Sequence, residues 1–289
     1  ALACRSTGSS SPKRGKPEPF VPLPDEGPET IAYFLTRFDR SLLQWSELKL
    51  AGSSPREQNT LAALEASMTD RAQKRRDELL TELESGAPNN RRVAAAALGF
   101  SHDATVLGPL SATLTDRDPE VVQKALLGLG VLAHPDTPLG PVRSLLVNDP
   151  EPWTRNNAAF TLLMLARAGC KTSELAATCR AGLGDTEGGV RAQCASALGI
   201  LADPEAAPQL ATLLKDEQNL VALAAAMALA RMGKEHPEMK GTAARALSAA
   251  LDAVKADRRL HLLGALRWLA DDNLGEDARP WREWAYKLP

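Results

Sequence analysis

The stretch Val190-Arg191-Ala192-Gln193-Cys194-Ala195-Ser196-Ala197-Leu198-Gly199-Ile200-Leu201-Ala202-Asp203-Pro204, running on to Leu213-Leu214-Lys215-Asp216, decides the fold of this chain. A helix carrying the pattern V-R-x-x-A-x-x-A-L-G-x-L stops at an Asp-Pro turn. A further helix around residues 207–214 closes at Lys215-Asp216, and the pattern begins again. Neither helix can bury its apolar stripe alone, so stacked neighbours must do it.

The leucine of the A-L-G motif serves as a marker. Equivalent positions are Leu98, Leu129, Leu162, Leu198, Leu229 and Leu266, at spacings of 31, 33, 36, 31 and 37 residues. Thirteen residues before the marker stand Asp116, Asp149, Asp185 and Asp216, with Ser85 and Ala253 in the terminal units. Seven before it stand Arg91, Arg155, Arg191 and Arg259, with Val122 and Ala222 in the other two. Small residues at fixed positions let helices approach closely, while Leu and Val at i, i+3, i+4 and i+7 fill the layer between them. Each Asp can accept from backbone N–H groups at the start of the helix that follows it. The Arg, one turn into that helix, can reach an Asp of its own or a neighbouring unit. A structural ladder is the expected reading of these rows, with an anion-binding row of arginines as the alternative.

Six units in one frame resemble the HEAT-repeat family, in its short phycobilisome-lyase-type form, over residues 86–270. The resemblance implies an all-α, right-handed α-solenoid of about six HEAT-like repeats with N- and C-terminal helical caps. It implies Asp–Arg ladders between units and says little of function, because that family spans scaffolds, chromophore lyases and DNA-repair proteins.

Composition agrees with the all-α expectation, since Ala and Leu dominate and alternating strand-type runs are missing. A net charge of −2 with mixed signs gives no general drive towards nucleic acid or acidic membranes. Residues 5–28 are loaded with Ser, Pro, Gly and Lys and read as a disordered tether. Before them, Ala1-Leu2-Ala3-Cys4 looks like the end of a bacterial signal peptide, although Leu sits one place later than in the usual lipidation motif. Lipidation of Cys4 and a periplasmic, membrane-anchored location are therefore expected, with plain secretion or a cytoplasmic chain as alternatives. Cys170, Cys179 and Cys194 remain. The frame puts Cys179 and Cys194 at apolar positions, which favours buried thiols. A disulfide, Cys170–Cys179 or Cys179–Cys194, stays open.

Residues 29–85 are expected to form two capping helices, 29–48 and 55–84, the latter opening behind Ser53 and Ser54. The basic cluster Arg71, Lys74, Arg75 and Arg76 alternates with acids and reads as a solvated face. Residues 271–289 are expected to form a C-terminal cap. Trp281 and Trp284, spaced i, i+3, are expected to pack back on Leu266 and Trp268, or else to dock a partner. Longer links fall at residues 167–173 and 233–241, where the marker spacing widens.

Chemistry is sparse. His102, His134, His236 and His261 lie in different units, too far apart for one metal. No nucleophile elbow or phosphate loop occurs. No catalytic residue, metal ligand or cofactor is expected, and the chain is not expected to be an enzyme. The second helix of each unit, the one that follows the Asp, should line the inner curve of the stack. Partner-binding candidates near the starts of those helices are Trp153, Asn156, Asn157, Gln193, Asn219, Arg258 and His261, with Trp281 and Trp284 at the C-terminus. Such an amide-rich, mildly charged stripe suits a protein partner on the concave face or at the C-terminal aromatic patch. Nucleic acid is not expected, and membrane contact only through an N-terminal lipid. The alternative functions are a chromophore- or ligand-handling protein resembling HEAT-type phycobilin lyases and, less favoured, a HEAT-type DNA-binding or repair protein.

Overall fold

The computed structural model describes residues 29–51 and 54–289. Within them the chain is helical throughout, with fifteen α-helices and no strand. They are α1 (Ile31–Ala51), α2 (Pro55–Lys74), α3 (Arg76–Ser85), α4 (Pro88–Phe100) and α5 (Leu107–Ala112). Then come α6 (Pro119–Leu132), α7 (Leu139–Asn148), α8 (Pro152–Arg167), α9 (Ser173–Ala181) and α10 (Gly188–Leu201). The series closes with α11 (Ala207–Leu213), α12 (Asn219–Glu235), α13 (Lys240–Ala250), α14 (Ala256–Ala270) and α15 (Ala278–Lys287). Proline opens α2, α4, α6 and α8, where its fixed φ suits the first turn and its missing N–H costs nothing.

The marker leucines fall in α4, α6, α8, α10, α12 and α14, and all six are buried. Full burial of such a side chain contributes about 2 kcal/mol. These second helices pack directly on one another along the whole series, whereas the first helices, α5, α7, α9, α11 and α13, meet each other sparsely. The tighter layer has the shorter repeat and forms the inner wall of an α-solenoid. Close approach in that layer needs glycine. A Cβ on Gly99 would stand 2.6 Å from Gly128 Cα, and one on Gly128 would strike the Ala95 carbonyl.

The Asp and Arg rows form the expected ladder, with its teeth between units. Arg91 donates to both carboxylate oxygens of Asp116 at 2.9 and 3.1 Å, Arg155 to Asp185 at 2.8 and 3.1 Å, and Arg191 to Asp216 at 2.8 and 2.9 Å. The third nitrogen of each Arg donates to a carbonyl in the turn before its own helix: Gly86, Asp149 and Asp185. The Asp side chains in turn accept the N–H of the residue two places on, at Asp118, Glu151, Glu187 and Gln218. The Asp149 rung lacks its cation because its partner position holds Val122. Arg259, last in the row, donates instead to the Leu251 and Glu276 carbonyls.

Several details differ from the sequence reading. The single helix expected over residues 55–84 is two, because Arg75 leaves helical geometry at φ −118°, ψ 18°. α3 then pairs with α4 as the first helix of a unit, so the terminal cap proper is the α1–α2 hairpin. Ser54 caps α2 in a capping box with Glu57. Cys4, residues 5–28 and Ser53 lie outside the described residues. The link over residues 168–172 turns at Gly169, φ +90°. The expected link at residues 233–241 is shorter, since α12 continues to Glu235. Cys170, Cys179 and Cys194 are free thiols.

Candidate functional site

The inner wall has a register of its own. On each second helix, the positions two residues after and two, six and nine before the marker point away from the first helices. Two after the marker the chain carries Phe100, Val131, Met164, Ile200, Arg231 and Trp268; two before it, Ala96, Leu127, Phe160, Ser196, Met227 and Gly264.

In the N-terminal half, α1 lies over this register. Phe38 and Trp45 meet Phe100 edge-on at 5.9 and 5.5 Å between ring centroids, and Trp45 also meets Phe160 at 6.4 Å. Asp39 pairs with Arg92 of α4 at 3.0 Å. Beside it, burial pushes the Lys124 ammonium of α6 below its ordinary pKa, and Arg92 adds to the effect.

In the C-terminal half nothing in the described chain covers the same positions. α10, α12 and α14 form the walls of an apolar groove of about 620 Å³, floored by Ile200, Leu223, Ala224, Met227 and Trp268. Leu220, which lines it, is 62% exposed, while Met227 and Trp268 keep 41% and 43%. Large apolar side chains gathered in an open groove are uncommon on the surface of a monomer. At the lower end Arg231 is held by Glu235 at 3.0 Å, and Lys234 by Asp271, so the rim charges are already paired.

The candidates drawn from sequence fare unevenly. Trp153 is exposed at the start of α8, in the same register as Leu220. His261 is exposed on α14. The amides, expected to serve a partner, are largely committed to neighbouring helices. Gln193 Nε2 donates to the Asn156 side-chain oxygen at 2.8 Å, and Asn157 Nδ2 to the Gln123 carbonyl at 3.1 Å. Arg258 Nε donates to the Asn219 side chain at 2.6 Å, while its other nitrogens close on the Asp216 and Glu217 carbonyls. These groups form a second, inner ladder, since a half-buried amide in a helix layer needs a partner.

Trp281 is corrected from a docking candidate to a core residue. It is fully buried, and its indole donates to the Gly275 carbonyl at 3.0 Å. Trp284 is half-buried against it, edge-on at 6.0 Å, with the Lys240 ammonium 5.9 Å from its ring centroid. α15 caps α13 instead of α14, and Trp268 therefore stays open. The groove residues Leu223, Met227 and Trp268 were missed by attention to the helix starts, and Leu220, beside Asn219, because those starts were read for polar groups. Their signal was available: apolar side chains at frame positions lying off the buried stripe.

Among the described residues no group of His, Cys, Asp and Glu is placed to hold a metal. No helix there is long and apolar enough to cross a membrane. Burial pushes the Cys179 thiol up to about 12 and Cys194 well above its ordinary value, which leaves both unreactive.

A sequence profile of HEAT repeats matches residues 76–159 and 139–230, together more than half of the chain. No curated protein matches in sequence. Among solved structures the chain is similar to a karyopherin bound to a SUMO protease, at 14% identity and TM-score 0.56 over 89% of this chain and 30% of that one. It is similar to computationally designed armadillo repeat proteins for modular peptide recognition, at 19% identity and TM-score 0.50 over 66% of this chain and 98% of that one. A looser likeness, TM-score 0.42 at 18% identity, covers 95% of this chain and 100% of a chain in the phycocyanin lyase complex of a Nostoc species. At these identities the first two likenesses speak to fold alone, and nothing is drawn from the third.

Proposed function

The chain belongs to the HEAT-repeat family, and from that premise we propose that it is a non-catalytic scaffold whose inner face docks another protein. The observation that carries this reading is the uncovered apolar groove between α10, α12 and α14. Water-exposed Leu, Met and Trp side chains on a rigid wall cost solubility unless a partner covers them. Trp153, in the same register on α8, the second helix of the unit before α10, extends the docking line. The protein is further proposed to be held on the periplasmic side of a bacterial membrane by lipid on Cys4, a reading supported by Ala1-Leu2-Ala3-Cys4 and the polar stretch behind it.

Chemical crosslinking and affinity purification from native membranes test the docking role. Recovery of a defined partner by the wild-type chain, at least tenfold reduced by Met227→Asp and reduced by Trp153→Ala, is the expected result. Undiminished recovery by Met227→Asp would move the interface off the groove. The anchor has its own test: metabolic labelling with a radioactive fatty acid in native cells should mark the protein and be lost in Cys4→Ala, and label retained by Cys4→Ala would remove Cys4 as the anchor.

A further inference from the structure

We infer that the groove's occupant is an amphipathic α-helix of the partner, seated as α1 is seated on the N-terminal half of the same wall. The inference rests on the docking role proposed above and adds the chemistry of what docks.

Two observations carry it. The first is continuity. α1 presents Phe34, Phe38, Leu42 and Trp45 on one face, at helical spacing, and they are buried. Phe38 and Trp45 close on the frame positions two after and two before the marker, Phe100 and Phe160. The wall continues beyond α8 in the same register with Ile200, Met227 and Trp268, interspersed with Ser196, Arg231 and Gly264, and there it stays open. Neighbouring second helices lie about 10 Å apart, so the furrow between two of them accepts one row of side chains from a crossing helix.

The second is backbone accounting. An extended peptide brings an unpaired N–H and C=O at nearly every residue, and each left unmet in an apolar site loses its hydration with nothing in return. To hold one, the wall would need free amides. The groove lining contains neither Asn nor Gln, and of its charged members Arg231 and Glu235 pair with each other and Lys234 with Asp271. The amides nearer the helix starts, Asn156, Asn157 and Gln193, already bond within the wall. A helix satisfies its own backbone and asks only for an apolar floor.

The test uses the full chain and a fluorescein-labelled synthetic peptide of residues 29–51 as the probe, with anisotropy as the readout. Saturable binding is expected. It should weaken at least tenfold with Met227→Asp in the protein, and at least tenfold with Leu42→Pro in the peptide, which breaks the helix without removing its aromatic rings. Because the rim charges are paired, affinity should change less than threefold between 0.05 and 0.5 M salt, concentrations spanning the Debye range of surface electrostatics. Absence of binding, equal binding of the Leu42→Pro peptide, or binding that survives Met227→Asp would each overturn the inference. Gly264→Trp gives a second check, since a Cβ there meets nothing within 4 Å and the position lies one turn before the groove residue Trp268; it should also weaken the peptide, and undiminished binding would count against the helix seat. The membrane purification is independent of this probe. A partner that still depends on Met227 while the peptide fails would leave the docking role standing and remove only the helical occupant.

Discussion

Arg191 closes the turn before its own helix with one nitrogen and grips Asp216 of the next unit with the other two. Burial alone would raise the Asp216 carboxyl, and likewise Asp116; the bonds from Arg191 and Arg91, the backbone N–H groups of Gln218 and Asp118 and the nearby positive charge together overcome it and hold both below the ordinary carboxylate value. Replacing Arg191 with Met should cost about 2 kcal/mol in urea unfolding, because a half-buried carboxylate loses its charged donor. The sign of the pH dependence follows. A depressed folded pKa stabilises above the unfolded value near about 4 and is lost as pH falls through the folded one. For Asp103 that loss extends down to about 2, set by the Thr105 backbone N–H, then its hydroxyl, then Arg76. Wild-type stability should therefore fall between about pH 4 and 2, and more steeply than that of Arg191→Met. The ladder was legible because a bidentate pair fixes both residue types at one spacing. The inner amide row was misread for the same kind of reason: spacing places Asn156 and Gln193 on one wall without saying whether they face each other or a partner.

Helices in this chain are defined as much by glycine as by leucine. Gly128→Ala should destabilise by about 3 kcal/mol, since the added methyl meets the Ala95 carbonyl and both helices are fixed by their neighbours. Gly264→Ala has open space around it and should stabilise by about 1 kcal/mol through helix propensity. Thermal unfolding of the two variants separates packing glycines from idle ones. Helix identity and period were plain in the sequence, yet the break at Arg75 was not, because residues 70–78 carry good helix formers on both sides of it. The destination of α15 was hidden too. Trp281 and Trp284 announce a buried face, but whether it covers α13 or α14 depends on the path of the residues between Ala270 and Ala278.

At the scale of the whole molecule, a solenoid builds stability from each unit and its two neighbours, so local damage should stay local. Trp281→Ala should open α13–α15 to hydrogen exchange while α4–α8 keep their protection, which a mass-spectrometric exchange map would display. The same modularity lets the two halves of the inner wall differ: α1 covers one and the other is bare. Sequence periodicity reveals the wall but not its cover, because α1 lies outside the repeat and docks through aromatic contacts distant in the chain. The most direct measurement is site-specific photo-crosslinking in native cells, with the reactive group at position 227 in the groove or at position 147 on α7. The account predicts a defined protein adduct from position 227, absent from position 147 and abolished by Leu223→Asp. The same adducts from both positions, or from position 147 alone, would contradict it.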